Sequence, residues 1–215
     1  MITEDIKNQL IDAGKKLAQY KLITLTGGNV SFRDSETNLI AITPSGMEYK
    51  DLKPDDIVIV NLDGEIVEGR RKPSSDTVAH CQIYQNRSDI NSIIHTHSPY
   101  ASCFAILNEE IPIAQTTMAN EVGGAVKVAQ YAPVGSDEFG KNVLKILGNE
   151  KAILLQNHGV LVFGENVNHA LTAAVMLEDT AKVYYLARSV GDPVLLTEKQ
   201  VEDANYIFQN VYGQA

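Results

Sequence analysis

Apolar side chains recur along this chain with two different periods, and the switches between them divide it into elements. Near the start, Ile6, Leu10, Ala13 and Leu17 return every three or four residues, which predicts a helix up to about Tyr20. Thr3, followed by Glu4 and Asp5, supplies its start: a hydroxyl cap with acids in the first turn. The period then shortens. "TLTGGNVSFR" reads as a glycine turn running into a strand, "LIAITPSG" as a strand ending in a turn, and "DIVIVNLDGEIVEG" as two strands joined by an Asp-Gly hairpin. After the polar "RRKPSS", the spacing predicts a helix over 76–86, a strand over 92–96 and a helix over 99–107. "AVKVAQY" and "KAILLQNHGVLVFG" are strand material on either side of a helix at about 136–147. A long helix from Glu165 to Val190 shows the apolar stripe Val167, Leu171, Ala174, Leu177, Ala181 and Tyr184, and a last helix runs from Thr197 to about Val211.

Strands outnumber what a strict strand–helix alternation gives, and several are joined by hairpins. The expected fold class is therefore α/β: a three-layer α/β/α sandwich with a mixed, mainly antiparallel central sheet, built as one domain over residues 1–215. A chain of 215 residues that is 44% hydrophobic can bury a core of that size.

Charge changes the picture by exclusion. The net charge of −9 leaves no basic stripe to neutralise nucleic-acid phosphates and disfavours an anionic membrane surface. An anionic small molecule would have to be held locally, by aimed N–H groups and hydroxyls. No apolar run approaches the roughly 18 to 20 residues of a membrane span, and the start "MITEDIKNQL" is acidic and amphipathic, unlike a secretory signal. Cys81 and Cys103 lack CxxC spacing and read as reduced thiols. A cytoplasmic protein is expected.

The candidate chemistry begins at "IIHTHS". His95 and His97 are two residues apart on an apolar, β-branched run, so both imidazoles face one way. A buried strand gains nothing from two polar rings unless they share a partner. A third histidine, His158, sits in "LLQNHGVLV", where Asn157 and Gly159 suggest a turn. Three imidazoles with a carboxylate or water in the fourth position are the usual catalytic zinc arrangement, and Asp76 in "KPSSDTVAH" is the candidate carboxylate. Taken singly, each histidine is an ordinary core or surface residue; His169 keeps that reading, and His80, four residues after Asp76, is a core or supporting residue. Three turns, "TGGN" (26–29), "TPSG" (43–46) and "KPSS" (72–75), offer small residues and hydroxyls, with Ser74 and Ser75 at a helix N-terminus that favours an anion. Each alone is loop chemistry. Together they suggest a metal that polarises an oxygen on a phosphorylated small molecule.

"TGGNVSFR", "ITPSG", "KPSSD", "IIHTHS" and "LLQNHGVLVFG", in this order and at this spacing, resemble the motifs of the class II aldolase/adducin family over nearly the whole chain. That resemblance implies an α/β/α sandwich, usually a homotetramer of fourfold symmetry with active sites between neighbouring subunits. It implies that His95, His97 and His158 are ligands of zinc or another divalent metal, and that Gly28, Asn29, Ser45, Gly46, Ser74 and Ser75 cradle the phosphate of a small phosphorylated sugar. Asp76 stands where members carry a catalytic glutamate or a metal-binding aspartate, and Tyr212 in the terminal "VYGQA" resembles a proton donor that reaches the adjacent subunit's site. The implied reaction is reversible retro-aldol cleavage of a ketose 1-phosphate, like L-fuculose 1-phosphate, to dihydroxyacetone phosphate and an aldehyde.

Two positions depart from the family's patterns. Where the 4-epimerase of L-ribulose 5-phosphate carries an acid/base aspartate, "TTMAN" places Asn120, and an amide cannot shuttle a proton. The second tyrosine of the fuculose-phosphate enzyme falls near Thr116. Glu121 could replace a missing acid, although in an extended segment it would point away from the side that Asn120 faces. Loss of a second acid/base favours release of the aldehyde, hence aldolase over the alternative epimerase. Sugar-acid phosphate decarboxylation and a non-catalytic, adducin-like scaffold are the remaining readings.

Overall fold

The computed structural model describes residues 2–211, and the alternation of strand side chains sorts its core into two layers. Strands β1 (Asn29–Arg33), β2 (Ile40–Ile42), β3 (Val58–Val60), β4 (Ile66–Glu68), β5 (Ser92–Thr96), β6 (Val128–Ala129), β7 (Ala152–Leu155) and β8 (Gly159–Gly164) form one sheet in the order β4-β3-β2-β1-β5-β8-β7-β6. Its pairings are antiparallel except β6 with β7. On β8, Val160 and Val162 face one layer while Leu161 and Phe163 face the other. All five residues of β5 are buried, as expected for a strand covered on both faces.

The helices are α1 (Glu4–Gln19), α2 (Thr77–Asn86), α3 (Pro99–Leu107), α4 (Thr116–Glu121), α5 (Asp137–Leu144), α6 (Val167–Val190) and α7 (Glu198–Asn210). Helices α1, α3 and α6 bury Leu10, Leu17, Phe104, Leu171 and Leu177 with Val30 and Ile94 on one face of the sheet. Helices α2 and α5 bury Ile83, Tyr84, Phe139 and Val143 with Ile93 and Ile153 on the other. The molecule is thus an α/β/α sandwich with a mainly antiparallel sheet. No helix of the described residues is long and apolar enough to cross a membrane.

Capping sets the helix starts that the sequence indicates. Thr3 accepts from the Ile6 N–H, and Thr197 with Gln200 forms a capping box on α7. One segment differs from expectation: "AVKVAQY" contributes only Val128–Ala129 to the sheet. Residues 116–121, to which the apolar pattern assigns no element, are helical. The short β6 is an edge strand with a single neighbour, so its ladder stops where β7 turns away.

Helix α2 lies along β1 through buried polar contacts. Asn29 Nδ2 donates to Asp76 Oδ2 at 2.7 Å, Ser31 Oγ meets His80 Nδ1 at 2.8 Å and the Tyr84 hydroxyl at 2.7 Å, and Arg33 donates to the Tyr84 carbonyl at 2.7 Å. The Arg33 guanidinium also donates to the carbonyls of Arg87, Ser88 and Ile90 and to Asn91 Oδ1, tying the chain after α2 to the start of β5. Removing it would strand buried carbonyls at a cost of about 1–3 kcal/mol each.

Burial pushes the His80 imidazole from its ordinary 6.5 to about 4, against an opposing pull from Asp76. The unfolded chain therefore binds a proton that the native state refuses, and stability falls as the pH drops from about 6.5 towards about 4. The shift corresponds to a loss on the order of 3 kcal/mol across that window. Urea titrations in the presence of chelator should show this decline, and His80→Gln should flatten it by one proton's worth of slope.

Candidate active site

The site is built where β5 runs out. His95 is buried on the α2 side of the sheet, paired in register with Asn29 of β1 and Leu161 of β8. Its Nδ1 lies 2.9 Å from the Val160 carbonyl, which can only accept, so the ring proton sits on Nδ1 and Nε2 offers a lone pair to the cavity. That Nε2 is 2.9 Å from His97 Nε2. His97 lies one residue past the strand end and is exposed, which corrects the expectation of two buried neighbours on one strand. His158 occupies the turn between β7 and β8, behind Asn157 in the left-handed region (φ 57°). The three rings offer nitrogen atoms all within 4.8 Å of one another.

Two glycines make this approach possible. A Cβ on Gly159 would sit 2.3 Å from the Thr96 carbonyl oxygen and 3.0 and 3.2 Å from the His97 and His95 rings. Gly28 adopts φ +75°, and a Cβ there would meet the His95 carbonyl oxygen at 2.6 Å.

Asp76 sits at the N-cap of α2, yet its side chain makes no capping bond; Oδ2 takes the Asn29 amide and lies 3.8 Å from His95 Nε2. Its Oδ1 is buried without a partner. Burial drives His95 down to about 3, Asp76 opposing, and lowers His97 and His158 as well, again against Asp76. Neutral imidazoles are the form that binds metal, so three of them converging beside an unpartnered carboxylate oxygen fit a divalent cation.

The three turns meet the histidines in one cavity of about 210 Å³. Gly28, Asn29, Ser45, Gly46, Ser74, Ser75, Asp76, His95, His97 and His158 line it, together with Thr26, Gly27, Pro44 and Val134. Asn29, Asp76 and His95 form a buried floor, while Ser45, Gly46, Ser75 and His97 form an exposed rim. Among the described residues, the backbone N–H groups of Gly28, Gly46 and Ser75 have no acceptor within the chain. No Lys or Arg lines the cavity, so an anion there would meet neutral donors. Val134, half-exposed on the loop before α5, is an apolar wall that sequence reasoning missed; its only local signal is a turn between Pro133 and Gly135.

Other candidates lie elsewhere. Thr116, Asn120 and Glu121 line a separate cavity of about 870 Å³ between α4, α6 and α7. Because 116–121 is helical, the alternation argument for Glu121 does not apply. His80 is a core residue and His169 is an exposed one 3.8 Å from Glu165. Cys81 is buried and Cys103 half-buried, both free thiols. Tyr212 lies outside the described residues.

The chain as a whole is similar to proteins of known class. The family described as "Class II Aldolase and Adducin N-terminal domain" matches residues 8–185. The chain is 39% identical over 214 residues, the full length of both chains, to the 5-deoxy-D-ribulose 1-phosphate aldolase of Bacillus thuringiensis serovar kurstaki. It is 35% identical over 199 residues, 87% of each chain, to the L-ribulose-5-phosphate 4-epimerase UlaF of Salmonella paratyphi B. A solved L-fuculose 1-phosphate aldolase superposes with a TM-score of 0.93 at 40% identity, covering 97% of this chain and 98% of the other.

His97 is exposed, so its truncation should spare the fold while removing one of the three imidazoles that could hold a cation. His97→Ala is expected to lose stoichiometric divalent metal on dialysis, with an unchanged circular dichroism spectrum. Metal analysis finding full occupancy in that variant would remove His97 from the centre.

Proposed function

This chain belongs to the class II aldolase and adducin family, and from that premise we propose that it is a metal-dependent aldolase cleaving a ketose 1-phosphate reversibly to dihydroxyacetone phosphate and a short aldehyde. One observation carries the reading: His95, His97, His158 and Asp76 share a single cavity with the serine and glycine turns. The substrate class follows from what the relatives act on, 5-deoxy-D-ribulose 1-phosphate and L-fuculose 1-phosphate. The enzyme is proposed to work in the cytoplasm as a homotetramer.

Cleavage breaks the C3–C4 bond of the ketose. The electron pair stays with the C1–C3 fragment, whose C2 oxygen becomes anionic, and the C4 hydroxyl loses its proton as the aldehyde forms. The fragment then gains a proton at C3 to become dihydroxyacetone phosphate. His95, His97 and His158 would hold zinc or another divalent cation, which supplies positive charge against the developing oxyanion. Asp76, on the buried floor beside the trio, is the group assigned to exchange the proton at C3. Tyr212 is assigned to the aldehyde oxygen on the family resemblance alone. The Gly28, Gly46 and Ser75 N–H groups and the hydroxyls of Ser45, Ser74 and Ser75 would bind the phosphate, fixing C1 so that C3 lies near Asp76.

The epimerase reading shares the cavity and differs in whether the aldehyde leaves. Asn120 provides no carboxylate to serve as a second acid/base, which supports release over controlled re-addition.

Incubation with 5-deoxy-D-ribulose 1-phosphate, L-fuculose 1-phosphate and L-ribulose 5-phosphate should yield dihydroxyacetone phosphate from a ketose 1-phosphate and no C4 epimer. Epimer formation without free aldehyde would replace aldolase by epimerase. Ser75→Ala should raise KM by about tenfold and leave kcat within about twofold, because it removes binding common to ground and transition states. A wild-type KM in that variant would count against the cradle.

A further inference from the structure

We propose that Glu178 of α6 is a positioning residue for His97: by holding the start of α3, it fixes the turn that presents this imidazole to the other two. The inference rests on the reading of the histidines as a cation site. It extends that site to a residue in the helical layer on the other face of the sheet.

His97 lies between two elements. Thr96 ends β5 in register with Val160, and Ser98 immediately precedes α3. The His97 N–H donates to the Leu22 carbonyl at 3.1 Å, and the buried hydroxyls of Thr96 and Ser98 meet each other at 2.7 Å. The His97 backbone is therefore set by the sheet on one side and by α3 on the other. Its ring has little room to compensate for a shift, since Cβ atoms on Gly27 and Gly159 would come within 3.2 and 3.0 Å of it.

The first turn of α3 leaves two donors to satisfy. Pro99 has no N–H, and Ser102 already donates to the Ser98 carbonyl at 2.9 Å. The Ser98 hydroxyl makes no cap bond and is engaged with Thr96. Tyr100 and Ala101 donate instead to the half-buried Glu178, one to each carboxylate oxygen, both at 2.9 Å. Burial pushes this carboxyl above its usual range, opposed by the two N–H groups and by Lys182. Lys182, one turn along α6, stands 5.7 Å from the centroid of the Tyr100 ring. The carboxylate also meets the positive end of the α3 dipole. Apolar contacts through Ala101, Phe104 and Ala105 are non-directional, whereas two charge-assisted bonds set how far α3 slides and turns. Tyr100 is only three positions beyond His97, so that setting reaches the imidazole.

Zinc affinity, measured by competition with a chromophoric chelator, tests the assignment on wild type, Glu178→Gln and Leu171→Ala. The temperature is one at which circular dichroism shows each protein fully folded. Glutamine keeps one acceptor and turns an amide NH₂ towards the second backbone N–H. Glu178→Gln should bind zinc about tenfold more weakly, and its Co²⁺-substituted form should show altered visible bands. Leu171→Ala removes apolar packing from the same helix; it should lose stability to urea yet keep zinc affinity within about twofold of wild type. Glu178→Asp, one methylene shorter, serves with the same expectation if the glutamine variant fails to fold. Unchanged zinc affinity in the Glu178 variants, or equal weakening in Leu171→Ala, would overturn the proposal. So would failure of both Glu178 variants to fold, because the residue would then serve the fold as a whole. A wild-type protein that binds neither zinc nor another divalent cation would remove the cation site and this inference together, whereas wild-type binding with an indifferent Glu178 variant removes the inference alone.

Discussion

A helix rises about 1.5 Å per residue and a strand about 3.3 Å, so four helical residues span nearly the same distance as two strand residues. The pairing of α2 with β1 depends on that coincidence. Asp76 and His80, four apart, meet Asn29 and Ser31, two apart; Tyr84, one turn further on, meets Ser31 through its hydroxyl and Arg33 through its carbonyl. A shift of either element by one residue would turn these polar groups into apolar surroundings and leave them unpaired. The register is thereby fixed, and with it the position of Asp76 relative to the histidines, because β5 pairs with β1 within the sheet and sets His95 opposite Asn29.

The cavity inherits a division of labour from this arrangement. Its floor, Asn29, Asp76 and His95, is held by the sheet and by α2 and is buried, where electrostatic interactions are strong. Its rim, Ser45, Gly46, Ser75 and His97, comes from turns and is open. The floor carries a local cost. The buried Oδ1 atoms of Asp76 and Asn29 stay unpaired. Unmet bonding capacity at a helix start, beside three neutral imidazoles, is what a site keeps for groups that arrive from outside.

Much of this was legible in the residues. The α/β/α layering followed from where the apolar period switches between 3.6 and 2, and α3 and α6 were found close to their expected bounds. The histidine pair stood out because imidazoles are poor choices for a buried strand, and the serine and glycine turns because three of them recur at the ends of regular elements. What escaped had weak local signals. Residues 116–121, "TTMANE", are too few to display a helical period and begin with two β-branched threonines, which suggest extension. Val134 is one valine in a turn, and only the folding of that loop across the cavity mouth gives it a place there.

The sequence alone determined which side chains could do chemistry, since imidazole, carboxylate and hydroxyl are properties of single residues, and it determined the elements they ride on, since periodicity is local. The tertiary structure decided which of them meet. That His158 lies beside His95 across β8, that Asp76 turns towards Asn29 and not its own helix, and that Asn120 faces a different cavity all depend on strand order and helix register. Those are set by contacts between residues tens of positions apart, and no window of sequence contains them.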